Sequence, residues 1–499
     1  MLFNSVQFLI FLPIVLVIYY IIPKKIKYIW LLLCSYYFYM CWNALYALLI
    51  LFSTIATYLC GLGLEYIKQI DYSDNQKIKL KKMCVTISLV PNLGILFFFK
   101  YFDFFINNIN NVLSHINVQL VHPAFDILLP VGISFYTFQA IGYTLDVYRD
   151  EIYAEKNFLK YALFVSFFPQ LVAGPIERSK NLLKQLSEPA KLQFDNFREG
   201  LLLMLWGYFL KVVLADRIAI FVDSIYAEQQ NGPDGYFFFV ATLLFAFQIY
   251  CDFAGYSTIA MGSAKLLGIE LMVNFNAPYL SKSTAEFWRR WHISLSSWFK
   301  DYLYIPLGGN RKGKIRKYVN LLITFAISGL WHGAAWSYIA WGLLNGIYQI
   351  IGEILRPIKK VLIQMLGLNE NSFGHKVVKV VITFLCIDFS WIFFRASSFS
   401  SAVKIIKSML CVHNPWILFD GSLYHYGLDR KNFQLMLLGI GILLLVDIAA
   451  YKGIKLRKFI AEQDYWCQAV IITFSIISIL LFGIWGNTYD AANFIYFQF

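Results

Sequence analysis

The chain has 499 residues, 59% of them apolar and only 15% charged, with a mean hydropathy of +0.58. These values lie outside the range of soluble globular domains and indicate a polytopic membrane protein in contact with the lipid bilayer. The formal charge of +13 is scattered in short clusters between apolar runs, a pattern that orients membrane proteins, whereas nucleic-acid binding needs a concentrated basic face.

A helix rises about 1.5 Å per residue, so roughly 20 apolar residues cross the hydrocarbon core. Counted on that length, about 12 candidate spans begin near Val6, Tyr28, Leu45, Met83, Phe125, Gly200, Tyr236, Tyr318, Ala335, Val380, Phe433 and Cys467. The first apolar segment, Leu9 to Ile22, has neither a charged leader nor a small-residue cleavage site, and is expected to be a retained span. Lysine and arginine collect on alternate loops. Lys24, Lys25 and Lys27, then Lys68 with Lys77, Lys79, Lys81 and Lys82, then Arg311 to Lys317, Arg356 to Lys360 and Lys452 to Lys458 are expected to face the cytoplasm. Asp103 to Phe125, Asp223 to Tyr236 and the tail after Trp485 contain neither residue and are expected outside, with both termini. Tyr161 to Pro175 is apolar yet flanked by basic segments on both sides. It is either a re-entrant segment or a cytoplasmic interfacial helix. No repeat of fixed period and no low-complexity tract interrupts the chain, which reads as one continuous membrane domain over residues 1–499.

The unusual chemistry is concentrated between Gln248 and Trp341. Glu286 to Lys300 is too polar to span; on helical spacing Arg289, His292, Ser296 and Lys300 share one face, and Trp288, Trp291, Leu295, Trp298 and Tyr302 another. An amphipathic helix follows, either an aromatic membrane anchor or a re-entrant part of a site. Leu307-Gly-Gly-Asn-Arg311 is a glycine turn before a basic run; it is either an ordinary loop or a hold for an anionic donor through Asn310 and Arg311. The run from Tyr318 to Leu355 would be about 55 Å long as one helix, so it must break, and Gly329 and Gly333 are the natural places, beside His332. An imidazole at membrane depth suits general-base work on a hydroxyl; a structural histidine bonded to a nearby carbonyl is the alternative. The 8 cysteines form no C-x-x-C pair, and no H-E-x-x-H, zinc-spaced Cys/His cluster or G-x-S-x-G elbow occurs, so no metal site is expected.

Asp252-Phe-Ala-Gly-Tyr-Ser257, Phe287-Trp-Arg-Arg-Trp-His-Ile-Ser-Leu295, Tyr304-Ile-Pro-Leu-Gly-Gly-Asn-Arg311 and Gly329-Leu-Trp-His-Gly333 resemble motifs of the membrane-bound O-acyltransferases, in particular the alginate O-acetylase branch of bacterial polysaccharide acetylases. Met1 to Ser5, Phe167 to Arg178, Trp391 to Ala396 and the closing Phe494 to Phe499 are similar to that branch too. The resemblance implies an all-α, curved bundle of about 11–12 transmembrane helices plus re-entrant or interfacial helices, in which an outer funnel and an inner tunnel meet at a histidine. It implies His332 as catalytic base and His292 as a second essential histidine. Arg289, Arg290, Ser296, Asn310, Arg311 and Asp252 become candidates for holding substrate or donor. Acetyl-CoA is the implied donor and no bound cofactor is expected. An extracytoplasmic polysaccharide is the implied acceptor, reached directly or through a secreted SGNH-hydrolase-like partner, at a bacterial inner membrane. Two other readings stay open: D-alanyl transfer to teichoic acid from a carrier-protein thioester, and a polysaccharide exporter or flippase with no need for a histidine base.

Overall fold

Serine and aspartate mark where several helices begin. Ser5, Ser372 and Ser398 each accept a backbone N–H from the first turn of the helices Val6–Ile21, Phe373–Arg395 and Phe399–Cys411, and Asp429 does the same for Arg430–Tyr451. The computed structural model describes the chain except residues 117, 119, 121–128, 173, 189, 229–234, 413, 486–494 and 496–499. The described residues are helical with no strand, an all-α polytopic membrane protein. The expected span start at Phe125, most of the tail after Trp485 and all of the Phe494 to Phe499 signature except Ile495 lie outside the described residues.

Among the described residues six helices are long and apolar enough to cross a bilayer: Ala47–Gln69, Asp74–His115, Gly235–Leu266, Phe373–Arg395, Arg430–Tyr451 and Tyr465–Phe482. Other expected spans are shorter. Val6–Ile21, Lys27–Met40 and Ile133–Tyr148 have 16, 14 and 16 residues, so each rises about 24 Å or less against a hydrocarbon core of about 30 Å. Lipid explains the surface: Val470, Phe474 and Leu481 on Tyr465–Phe482 are 60%, 70% and 71% exposed, which a water-facing helix does not sustain.

The chain packs as two compact units. The first comprises Met1–Leu201 with Ala260–Met272. Its helices are joined by small and hydroxyl side chains, as expected where lipid supplies no hydrophobic drive between helices. Ser53 donates to Asn92 Oδ1 (2.5 Å) and the Tyr161 hydroxyl to Thr57 (2.7 Å). At the basic end of this unit Lys68 and Lys81 bridge Asp150, and the Lys68 ammonium holds that carboxyl below the usual carboxylate range. The ambiguous Tyr161 to Pro175 stretch forms Phe158–Ser166 and Phe168–Leu171, broken at Phe167, and Tyr161 to Val172 is buried without exception. An interfacial helix would leave one face open. Here protein covers the break, with Ser35 accepting the Phe168 N–H and Gln139 and Gln170 donating to the Phe164 carbonyl.

The second unit, Leu202–Ile259 with Val273–Phe499, carries all of the motif residues from 287 to 333. Its central feature is the hairpin Gly313–His332 and Trp336–Ile354. The chain breaks at Gly333 and not at Gly329. A Cβ at Gly329 would collide with the Tyr338 carbonyl, and one at Gly342 with the Phe325 carbonyl, so both glycines serve close helix approach. Lys317 bridges Glu353 (2.5 Å), which fixes the basic ends of the two helices together. His332 therefore sits at the opposite end of the hairpin, about 28 Å along the axis from Gly313.

Candidate active site

His292 is placed by its backbone. The expected amphipathic helix is broken here into Thr284–Arg290 and Ile293–Phe299, with His292 between them at φ +43°, in the left-handed region that non-glycine residues rarely occupy. Asn274 secures the turn: its carbonyl accepts the Ile293 N–H (3.0 Å), its Oδ1 accepts the Ser294 hydroxyl (2.6 Å), and its Nδ2 donates to Ser257 (3.1 Å). The break reverses the face assignment. His292 is fully buried against the Phe253 ring (4.6 Å between centroids), while Arg289 is exposed. His292 lies outside the six long spans, and burial first, then the neighbouring His332, holds its imidazole well below the usual value. It is accordingly neutral near pH 7.

His332 ends its helix and is 3% exposed. Its Nδ1 lies 2.7 Å from the Ser328 carbonyl. A carbonyl only accepts, so Nδ1 carries a proton, and in the neutral tautomer that leaves the lone pair on Nε2. A structural histidine makes the same bond. What a structural role does not require is the second imidazole: the His292 and His332 ring centroids are 6.4 Å apart at 80°, too far for a ring-to-ring hydrogen bond and near enough to address one small group. Trp331, Trp341 and Phe394 surround His332 at 4.9, 4.9 and 5.7 Å. The pair sits in an apolar, water-poor nest where a base and an attacked carbonyl interact strongly.

The other candidates divide. Asp252 is not available to a donor: it is buried, its Oδ1 pairs with Lys211 (2.6 Å) and its Oδ2 accepts the Ile495 N–H (2.8 Å). Arg290 is committed to Glu286 (3.0 Å) and lies over the Tyr451 ring (4.7 Å). Ser296 donates back to the Trp291 carbonyl (3.3 Å), and Asn310 accepts the Tyr304 hydroxyl. Arg289 and Arg311 are exposed cations. Among the described residues no group of three or more His, Cys, Asp or Glu could hold a metal ion.

Sequence reasoning missed three supporting residues. Asn274 positions the His292 turn, and its only sequence signal is the Asn-Phe-Asn step just before the polar stretch. Asn345 accepts the Trp288 indole N–H (3.2 Å) and donates to Ser390 (3.2 Å), tying three helices beneath the nest. Lys211 lies in an apolar run and is 1% exposed, yet it bridges Asp216 (2.8 Å) and Asp252 (2.6 Å). Lys211→Met would leave two carboxylates buried without their cation, a change worth about 3–5 kcal/mol. The expected outcome is a markedly lower thermal midpoint for the detergent-purified variant; an unchanged midpoint would remove the ion-pair argument.

Comparison with known proteins agrees with this arrangement. Residues 150–394, which include both histidines, match the family model described as MBOAT, membrane-bound O-acyltransferase family. The chain is 37% identical to a probable alginate O-acetylase from Pseudomonas aeruginosa, over 81% of this chain and 73% of that protein. It is 35% identical to a peptidoglycan O-acetyltransferase from Helicobacter pylori, over 81% and 78%. A teichoic acid D-alanyltransferase from Streptococcus thermophilus is 31% identical over 53% of this chain and 68% of that protein. With identity of this level across most of both chains, on top of a helical membrane fold and a buried histidine pair, the chain belongs to the membrane-bound O-acyltransferase family and is an O-acyltransferase.

Proposed function

We propose that this protein transfers acetyl groups from acetyl-CoA, taken from the cytoplasm, toward an extracytoplasmic polysaccharide at a bacterial inner membrane. The observation that carries the reading is the placement of His332: buried beside His292 at one end of a hairpin whose other end holds Arg311 to Lys317 and Arg356 to Lys360. On the distribution of basic residues that second end faces the cytoplasm, where exposed Arg311 suits the phosphates of an anionic donor. The acceptor then arrives from the His332 end.

In this reaction His332 Nε2 takes the proton of the acceptor hydroxyl as its oxygen attacks the thioester carbonyl carbon. The C–O bond forms, the C–S bond breaks, and the imidazolium returns the proton to the departing thiolate. The driving force is in the thioester, so the transfer needs no other energy source. The hydroxyl belongs to the glycan or to a secreted SGNH-hydrolase-like partner that passes the acetyl on. Acetate is favoured over D-alanine as the group transferred because the acetyltransferase relatives match about four fifths of the chain and the D-alanyltransferase about half.

Two measurements test this. Mild base should release acetate from the cell-surface glycan of producing cells, and deletion of the protein should abolish that acetate; release of D-alanine instead would overturn the donor assignment. For sidedness, a cysteine replacing Ser114, exposed near the end of the Phe102–His115 helix, should react with an impermeant maleimide in intact cells lacking Cys41 and Cys411. Labelling only after lysis would invert the orientation.

A further inference from the structure

The nest around His332 contains polar groups that the fold itself does not satisfy. Trp341 is 1% exposed, and its indole N–H has no hydrogen-bond partner among the described residues. The same holds for the hydroxyl of Ser337, also 1% exposed. Buried donors without partners are uncommon because each forfeits its hydrogen bond to water. Trp288 shows what the core does when an indole is purely structural: packed on the same Trp341 ring (5.7 Å), it donates to Asn345 Oδ1 at 3.2 Å. Ser337 and Trp341 are four residues apart on Trp336–Ile354, hence on one face. The Trp341 ring stands edge-on to His332, centroids 4.9 Å apart at 75°, and is held from its other sides by a stack on Trp391 (5.5 Å, 20°) and by Phe394 (5.0 Å).

We propose that the Trp341 indole N–H, assisted by the Ser337 hydroxyl, donates hydrogen bonds to the carbonyl oxygen of the acyl group while it is attacked beside His332. The proposal rests on the acyl-transfer reading above. When the acceptor oxygen adds to the carbonyl carbon, the C=O electron pair moves onto oxygen; this anion needs donors until the C–S bond breaks and the carbonyl reforms. No lysine or arginine lies between Lys317 and Arg356 to supply a positive charge from this hairpin. An indole N–H fixed by aromatic packing on several sides is already in place and requires no reorganisation during the reaction. The same groups would bind the ground-state carbonyl only weakly, so their contribution appears in turnover and not in donor affinity.

The test separates the N–H from the ring. Trp341→Phe keeps an aromatic ring, Trp341→Leu does not, and 3-benzothienylalanine at 341, installed by codon reassignment, keeps the indole shape without the donor. In proteoliposomes supplied with acetyl-CoA, all three should lose about 10²-fold or more in kcat, with KM for acetyl-CoA within about threefold of wild type. Ser337→Ala should lose about 10-fold, and Trp288→Phe, which removes an indole N–H already bonded to Asn345 and keeps a ring beside Trp341, less than about threefold. Near-normal turnover with benzothienylalanine, or an equal loss in Trp288→Phe, would overturn the proposal. If wild type consumes no acetyl-CoA in a His332-dependent way, the donor reading has failed instead. The same variants are then compared by glycan-bound ester in cells, which does not depend on the donor's identity.

Discussion

His332→Gln is expected to lose at least about 10²-fold in acyl transfer, and His332→Ala no less, because general-base catalysis typically contributes about 10² to 10⁴ in rate. Glutamine is the sharper variant. Its side-chain amide can still donate to the Ser328 carbonyl, the bond His332 Nδ1 makes at 2.7 Å, so it retains the local packing. It cannot take a proton near neutral pH. Nothing on the hairpin can substitute, since no Asp, Glu, Lys or Arg lies between Lys317 and Glu353. Glycan-bound acetate, normalised to membrane-inserted protein, is the measurement. Near-normal acetylation in His332→Gln would make the histidine structural.

His292 calls for a different pair of variants, because its backbone is as unusual as its position. At φ +43° a β-carbon is strained, and alanine would inherit the strain without the ring contacts to Phe253 that help hold it. Asparagine tolerates the left-handed region. His292→Asn is therefore expected to accumulate like wild type and to lose about 10-fold or more in activity, whereas His292→Ala loses both protein and activity. The comparison is glycan acetylation against protein level for the two variants. Full activity in His292→Asn would show that this turn only anchors Trp291 in the aromatic core.

The parts of the site that were legible in the sequence are those where composition conflicts with surroundings. His332 stands out because it is ionisable in an apolar run too long for one helix, and the hairpin confirms that a break follows it. His292 does not share the face that helical spacing gives it with Arg289. Helical spacing assumes a continuous helix, and the left-handed residue at 292 ends that periodicity, burying the imidazole while Arg289 turns outward. Lys211 and Asn274 are not legible because the second carboxylate of Lys211, Asp252, lies 41 residues away and the partners of Asn274 17 to 20, so only the fold brings these groups together. Helix length is hidden for a related reason. Hydropathy registers Lys27–Met40 as apolar but carries no information on where it stops, and at 14 residues it is shorter than the hydrocarbon core. Glycines were read as breakers, yet Gly329 and Gly342 let two helices touch.

The most direct test of the account is transfer across a sealed bilayer. Purified protein is reconstituted in liposomes, the orientation is fixed by selective labelling, and isotopically labelled acetyl-CoA is supplied only at the face bearing Arg311 to Lys317, with a polysaccharide acceptor and any secreted partner only at the other. Label is expected in base-labile ester on the acceptor side, at a rate that falls at least about 10²-fold in His332→Gln. Label that appears only when donor and acceptor share one compartment, or that appears equally with His332→Gln, would contradict it.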